Sequence, residues 1–115
     1  MQLYHNPRCS KSRQALALLQ DRGVDCEVIE YLNTPPDAAT LALLHTALDA
    51  DIRSMIRFKE DEARELGLRP GDDRPRDEWL ELLAAHPRLL ERPLAIRGDR
   101  AVIGRPPEAI LNLLD

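Results

Sequence analysis

Cysteine is scarce in this sequence. Only Cys9 and Cys26 occur among 115 residues, too few for a disulfide framework and a usage that suits a reducing compartment. Aromatic residues are scarcer still: one tryptophan, one phenylalanine and two tyrosines. A core must therefore be built mainly from Leu, Ile, Val and Ala, and an apolar share of 43% is enough for a modest one. No apolar run approaches the roughly 20 residues of a membrane span, and no signal-peptide pattern opens the chain. A soluble, cytoplasmic protein with no membrane association is expected. There is no excess of positive charge either: 16 basic residues face 20 acidic ones, for a net charge of -4. That removes the general case for nucleic-acid binding and leaves basic residues meaningful only where they cluster in space. The three histidines, His5, His45 and His86, show no paired spacing with one another or with the cysteines, so no metal site is expected. With no internal repeat, low-complexity tract or linker, one domain is expected over residues 1–115.

What is present is concentrated around Cys9. Met1 to His5 reads as a short strand, and Ser12 to Gln20 as a helix closed by Gly23. Cys9 thus sits where a strand has ended and a helix begins. The unpaired N–H groups of a helix's first turn carry partial positive charge and favour a thiolate, the nucleophilic form of cysteine. Arg8, Lys11 and Arg13 add cations at the same place. The N–H groups that stabilise sulfur can also hold an oxyanion, so the stretch reads as an anion-binding loop around a low-pKa thiol. An inert, buried cysteine is the competing reading, and the polar, cationic surroundings count against it. The loop is not that of a cysteine phosphatase, which places five residues between cysteine and arginine; here three separate Cys9 from Arg13. Nor is it a dithiol motif, because Ser12 occupies the position of a resolving cysteine.

The remaining chain alternates between the two hydrophobic periods. Val24 to Leu32 reads as a strand with Val24, Cys26 and Val28 on the core side, making Cys26 a structural residue. Strand, helix and strand form a βαβ unit with parallel pairing. Asn33 to Asp37, with Pro35 and Pro36, starts a helix carrying Leu41, Leu44 and Leu48, with His45 at its surface or boundary. Asp51 caps a short helix with Ile52, Met55 and Ile56 apolar, and Arg57 follows. A third helix spans about Asp61 to Leu66. A fourth, about Arg76 to Ala85, turns Trp79, Leu80, Leu82 and Leu83 inward. Arg92–Arg97 and Arg100–Gly104 form a hairpin through Gly98-Asp99, and Pro106-Pro107-Glu108 starts a last helix with Ile110, Leu111 and Leu114 apolar. The fold expected is α/β: a thioredoxin-like core (β-α-β … β-β-α, a mixed four-stranded sheet) with a helical block inserted at about residues 36–88.

Several separated motifs resemble the glutaredoxin-coupled arsenate reductase family, in its arsenate reductase-like branch. They are Tyr4-His5-Asn6-Pro7-x-Cys9-x-x-Ser12-Arg13, Tyr31-Leu32-Asn33-Thr34-Pro35-Pro36, Glu65-Leu66-Gly67-Leu68, His86-Pro87 through Arg92-Pro93, and Gly104-Arg105-Pro106-Pro107-Glu108. Together they run over nearly the whole chain in the family's order. The resemblance implies the same thioredoxin-like core and a catalytic Cys9, with Arg57, Arg92 and Arg105 gathered round it as the oxyanion site. His5, Ser12, Arg13 and Pro93 support them, and Pro93 takes a cis peptide bond. Arginine suits the role because it stays charged and forks onto two oxygens.

The implied activity is arsenate reduction through a Cys9 thiolate adduct, with no bound cofactor. Glutathione is the implied co-substrate and glutaredoxin the protein partner that regenerates the thiol. His5 and Ser12 would tune the thiolate by hydrogen bonding. One departure stands out: the best-known members carry Gly-Thr after the cysteine, where this chain has Ser10-Lys11. Two alternatives stay open. One is a glutathione-dependent thiol reductase of another substrate. The other is a non-enzymatic, polymerase-binding redox regulator, a reading weakened because Ser12 removes the Cys-x-x-Cys switch.

Overall fold

A computed structural model describes residues 1–114. Four strands form one sheet in the order β2-β1-β3-β4: β1 is Gln2–His5, β2 Glu27–Glu30, β3 Leu94–Arg97 and β4 Arg100–Ile103. Helix α1, Ser10–Asp21, links β1 to β2, which pair in parallel with Leu3 opposite Val28. β3 runs antiparallel to β1, with Leu3 opposite Ala95. The β3–β4 hairpin turns at Gly98, whose φ of 64° is open to glycine and costly for other residues. This is the thioredoxin-like arrangement expected from the sequence.

Strand alternation sends neighbouring side chains to opposite faces of the sheet, and the two central strands feed a core on each. Leu3 and Ala95 join Ala15, Leu19, Ile110 and Leu113 on the α1 face. Tyr4 and Leu94 face the other way, into a larger cluster with Leu41, Leu44, Trp79, Leu80 and Leu83. That cluster is supplied by elements lying between β2 and β3 in the chain. They are α2 (Ala38–Leu48), a 3₁₀ turn (Ile52–Met55), α3 (Asp61–Glu65), α4 (Arg76–Ala85) and a second 3₁₀ turn (Pro87–Leu89). Their starts follow local chemistry. Asp37 accepts a hydrogen bond from the Thr40 N–H at 2.8 Å, and Asp51 accepts one from the Arg53 N–H at 2.9 Å.

Several expectations are corrected or refined. The second strand is shorter than Val24–Leu32, and Val28 is 42% exposed. As the edge strand, β2 reaches past the cover that α1 provides, so only Val24 and Cys26 pack on that core, each partly buried. The deeply buried side chain of this segment is instead Tyr31, at 0% exposure. The C-terminal helix, Pro107–Leu113, is 3₁₀ and not α. With three residues per turn it buries Pro107, Ile110 and Leu113, leaving Leu111 and Leu114 half-buried. The short helix expected after Asp51 is present, as a 3₁₀ turn with Asp51 as its cap. In α4, Leu82 is only half-buried where Trp79, Leu80 and Leu83 are buried.

Candidate active site

The loop between β1 and α1 is closed by its own polar groups. The Cys9 N–H donates to the Asn6 carbonyl at 3.0 Å, and the Arg8 N–H donates to Asn6 Oδ1 at 3.0 Å. Ser12 is fully buried beneath the loop; its Oγ accepts from the Asn6 N–H at 3.0 Å and lies 2.8 Å from His5 Nδ1. Arg13 reaches over the outside, Nη1 donating to the Pro7 carbonyl at 2.9 Å. The side chains of His5, Asn6, Ser12 and Arg13 therefore hold the loop's shape. The Ser12 hydroxyl is engaged by His5 and Asn6, and it is the backbone N–H of Ser12 that acts on the Cys9 sulfur.

Cys9 occupies the cap position of α1, with extended backbone and a side chain that makes no capping hydrogen bond. Its carbonyl accepts the first intrahelical bond, from the Arg13 N–H at 3.0 Å. The sulfur is left beside the free N–H groups that follow. Burial by itself raises the Cys9 thiol pKa; the backbone N–H groups of Ser12 and Lys11, and the Arg105 and Arg92 guanidiniums, outweigh it, so the pKa falls below the ordinary cysteine value. Cys26 behaves oppositely: burial first, then Asp25 and Glu27, push its thiol up against the pull of the N-terminal amine. His5 is pulled below the ordinary histidine value by burial, with Glu30 opposing and Arg13 assisting.

The arginines arrive from three distant segments. Arg105 Nη2 donates to Cys9 Sγ at 3.7 Å, while its Nε donates to the Arg92 carbonyl at 2.8 Å and lies 3.0 Å from Glu91 Oε2. Arg92 Nη1 donates to the Arg88 and Leu90 carbonyls at 3.1 and 3.3 Å. Arg57 comes from the helical segments, and a short backbone ladder delivers it. The Arg57 N–H donates to the Leu89 carbonyl at 2.6 Å, the Glu91 N–H to the Met55 carbonyl at 2.8 Å, and Ile56 bridges Leu90. Pro93 is cis, as expected; so is Pro106, giving both Arg92 and Arg105 a cis-proline neighbour. The Gly104 N–H donates to the Pro93 carbonyl at 2.8 Å and locks the two loops together.

These groups surround a hollow of about 270 Å³ lined by Cys9, Arg57, Arg92 and Arg105 together with Asn6, Arg8, Ser10 and Lys11. Its size suits a small ion, and its charge suits an anion. A larger cavity of about 520 Å³ elsewhere, lined by residues including Met1, Arg22 and Arg97, has no cysteine in its wall. All three arginines expected from the resemblance line the hollow with Cys9, and Arg105 reaches its sulfur. His5 and Ser12 lie beneath the loop and Arg13 on its outside; none of them lines the hollow, and among the described residues no three His, Cys, Asp or Glu gather as metal ligands. Sequence reasoning missed Asn6 as a wall residue, and Glu60 and Glu91 as partners of the arginines. A faint signal existed: Glu60 follows Arg57 by three residues, and Glu91 immediately precedes Arg92.

Comparison with known proteins bears on this geometry. The sequence pattern described as the ArsC family matches residues 4–113. An arsenate reductase of Neisseria meningitidis is 47% identical over 116 residues, covering 99% of this chain and 97% of the relative. A protein of Escherichia coli K12 known as uncharacterized protein YfgD is 45% identical over 116 residues, covering 99% of this chain and 96% of the relative. Among solved structures, an arsenate reductase from Vibrio cholerae superposes with a TM-score of 0.90 at 41% identity, covering 98% of both chains.

Proposed function

The chain belongs to the ArsC family, and on that premise we propose that it is an arsenate reductase that uses Cys9 as nucleophile and glutathione with glutaredoxin as external reductants. The observation that carries this reading is the Arg105 guanidinium 3.7 Å from Cys9 Sγ, in a hollow that Arg57 and Arg92 also line. One set of positive groups then serves two purposes: it holds charge on sulfur before reaction and on arsenate oxygens during it.

Arsenate enters the hollow and is gripped by the arginine N–H groups and the first-turn N–H groups of α1. The Cys9 thiolate attacks arsenic, a sulfur–arsenic bond forms, and one oxygen leaves as water. With serine at position 12 no second thiol stands one helical turn away, so the next electron pair comes from outside. Glutathione thiolate attacks the Cys9 sulfur of the adduct. The sulfur–arsenic pair stays with arsenic, which is reduced from the +5 to the +3 state and departs as arsenite. The Cys9–glutathione disulfide that remains is reduced by glutaredoxin through thiol–disulfide exchange, for which an accessible, low-pKa sulfur is required. Chemistry of this kind needs a glutathione-rich compartment, and the cytoplasm is the compartment proposed.

The test is arsenate-dependent NADPH oxidation in the presence of glutathione, glutaredoxin and glutathione reductase. Turnover by the wild type, lost in Cys9→Ser with the fold intact by circular dichroism, supports the proposal; absence of arsenate turnover in the wild type overturns it. A second reading draws on Ser10 and Lys11, which line the hollow where the best-known members carry Gly-Thr: a glutathione-dependent reductase of another substrate. Robust glutathione-linked reduction of such substrates, with none of arsenate, is its signature.

A further inference from the structure

Glu60 holds a position its local role does not explain. It precedes α3 as the cap residue, yet its side chain makes no capping hydrogen bond. The carboxylate turns instead toward the hollow's rear wall. One oxygen, Oε2, accepts from Arg57 Nε at 3.1 Å and lies 3.9 Å from Arg92 Nη2. Glu60 is thus the point where an arginine from the helical segments and an arginine from the cis-proline loop meet. All three side chains are mostly covered, at 29% exposure for Arg57, 28% for Glu60 and 12% for Arg92.

The geometry of a guanidinium gives this contact a consequence. A carboxylate that engages Nε fixes the plane of the fork and leaves the far Nη edge pointing away from it. Arg92 has backbone carbonyls to orient it, from Arg88 and Leu90. For Arg57, Glu60 is the one hydrogen-bond partner of the side chain among the described residues. Its two Nη groups are left for whatever occupies the hollow. Arg105 is built alike: Nε is committed to the Arg92 carbonyl beside Glu91, and Nη2 faces Cys9.

We propose that Glu60 is a positioning residue for the oxyanion site: its carboxylate fixes Arg57 beside Arg92 with the Nη edge of Arg57 turned into the hollow. Glu60 touches no substrate itself. The inference rests on the oxyanion-binding reading above, but not on arsenate being the substrate. It separates two properties that a structural role would tie together. Burial raises the Cys9 pKa, while backbone N–H groups, Arg105 and Arg92 lower it, and Arg92 keeps its two carbonyl partners without Glu60. Loss of Glu60 should therefore weaken anion binding while leaving the thiolate as it is.

The experiment measures alkylation of Cys9 by iodoacetamide in the full chain. The rate against pH gives the thiol titration. The inorganic sulfate concentration that halves the rate gives oxyanion affinity without needing turnover. Two variants are compared: Glu60→Asp keeps the charge and loses the reach, and Glu60→Gln keeps the reach and loses the charge. Both are expected to need about tenfold more sulfate, as the loss of one charge-assisted contact implies, with the Cys9 titration unmoved. Sulfate protection at the wild-type concentration in either variant overturns the proposal. So does a Cys9 titration displaced to higher pH in both, which is what a collapsed site produces. A wild type that sulfate does not protect overturns the oxyanion cage and this inference together. A wild type protected by sulfate but unable to turn over arsenate removes only the arsenate assignment and leaves Glu60's role standing.

Discussion

Two opposed effects act on the Cys9 sulfur. Partial burial disfavours the anion; two backbone N–H groups and two guanidiniums favour it, and the balance lowers the thiol pKa below its ordinary value. Arg105 is the strongest of the side-chain contributors and also the nearest to the sulfur. Removing an opposite charge from beside a thiolate returns the thiol toward its ordinary titration. In Arg105→Ala, the pH midpoint of Cys9 alkylation is therefore expected to move upward, so that less thiolate is present at neutral pH. Arsenate turnover should fall by about 100-fold, the scale of losing one preorganised donor to a developing oxyanion. An unmoved midpoint would show that the N–H groups of Ser12 and Lys11, together with Arg92, suffice without Arg105.

Among the elements, the decisive unit is the pair of loops that precede β3 and follow β4. Arg92-Pro93 and Arg105-Pro106 lie side by side because the Gly104 N–H reaches the Pro93 carbonyl at 2.8 Å. The approach is close enough that a β-carbon at Gly104 would stand 2.7 Å from Pro93 Cγ. A proline ring cannot swing aside as a long flexible side chain does, so the loop itself must shift. Gly104→Ala is expected to fold, to keep the Cys9 loop, and to lose about 10- to 100-fold in turnover through misplacement of Arg92 and Arg105. Steady-state kinetics beside a urea titration will separate this from simple destabilisation; wild-type turnover would mean the loops tolerate the displacement.

For the molecule as a whole, the larger core connects the sheet to the segment that supplies Arg57. Trp79 is 1% exposed and packs edge-on against Phe58, ring centroids 5.8 Å apart at 88°, with the Arg74 guanidinium 5.6 Å from its ring centre. Phe58 is the residue after Arg57, so this packing also steadies the ladder that carries the arginine to Cys9. Truncation to Trp79→Ala should cost about 3–5 kcal/mol, as expected for a large aromatic removed from a core, read by urea unfolding followed by far-ultraviolet circular dichroism. A cost below about 1 kcal/mol would mean the helical segments close over the gap.

The sequence by itself determined what depends on near neighbours: Cys9 at a helix mouth, a helix start within Asn33–Asp37, the cap at Asp51, the hairpin at Gly98-Asp99, and the boundaries of α4. Each is set by residues within a turn or two, so composition and spacing carry it. Only the tertiary structure decided which cations matter. No local feature separated Arg57, Arg92 and Arg105 from the other basic residues; family resemblance alone singled them out, and they meet because a ladder, two proline loops and two carboxylates join segments far apart in the chain. The exposure of Val28, the burial of Tyr31 and the 3₁₀ form of Pro107–Leu113 were settled the same way. Cover, edge position and the space left for a last helix are properties of the assembled sheet, not of the residues that meet it.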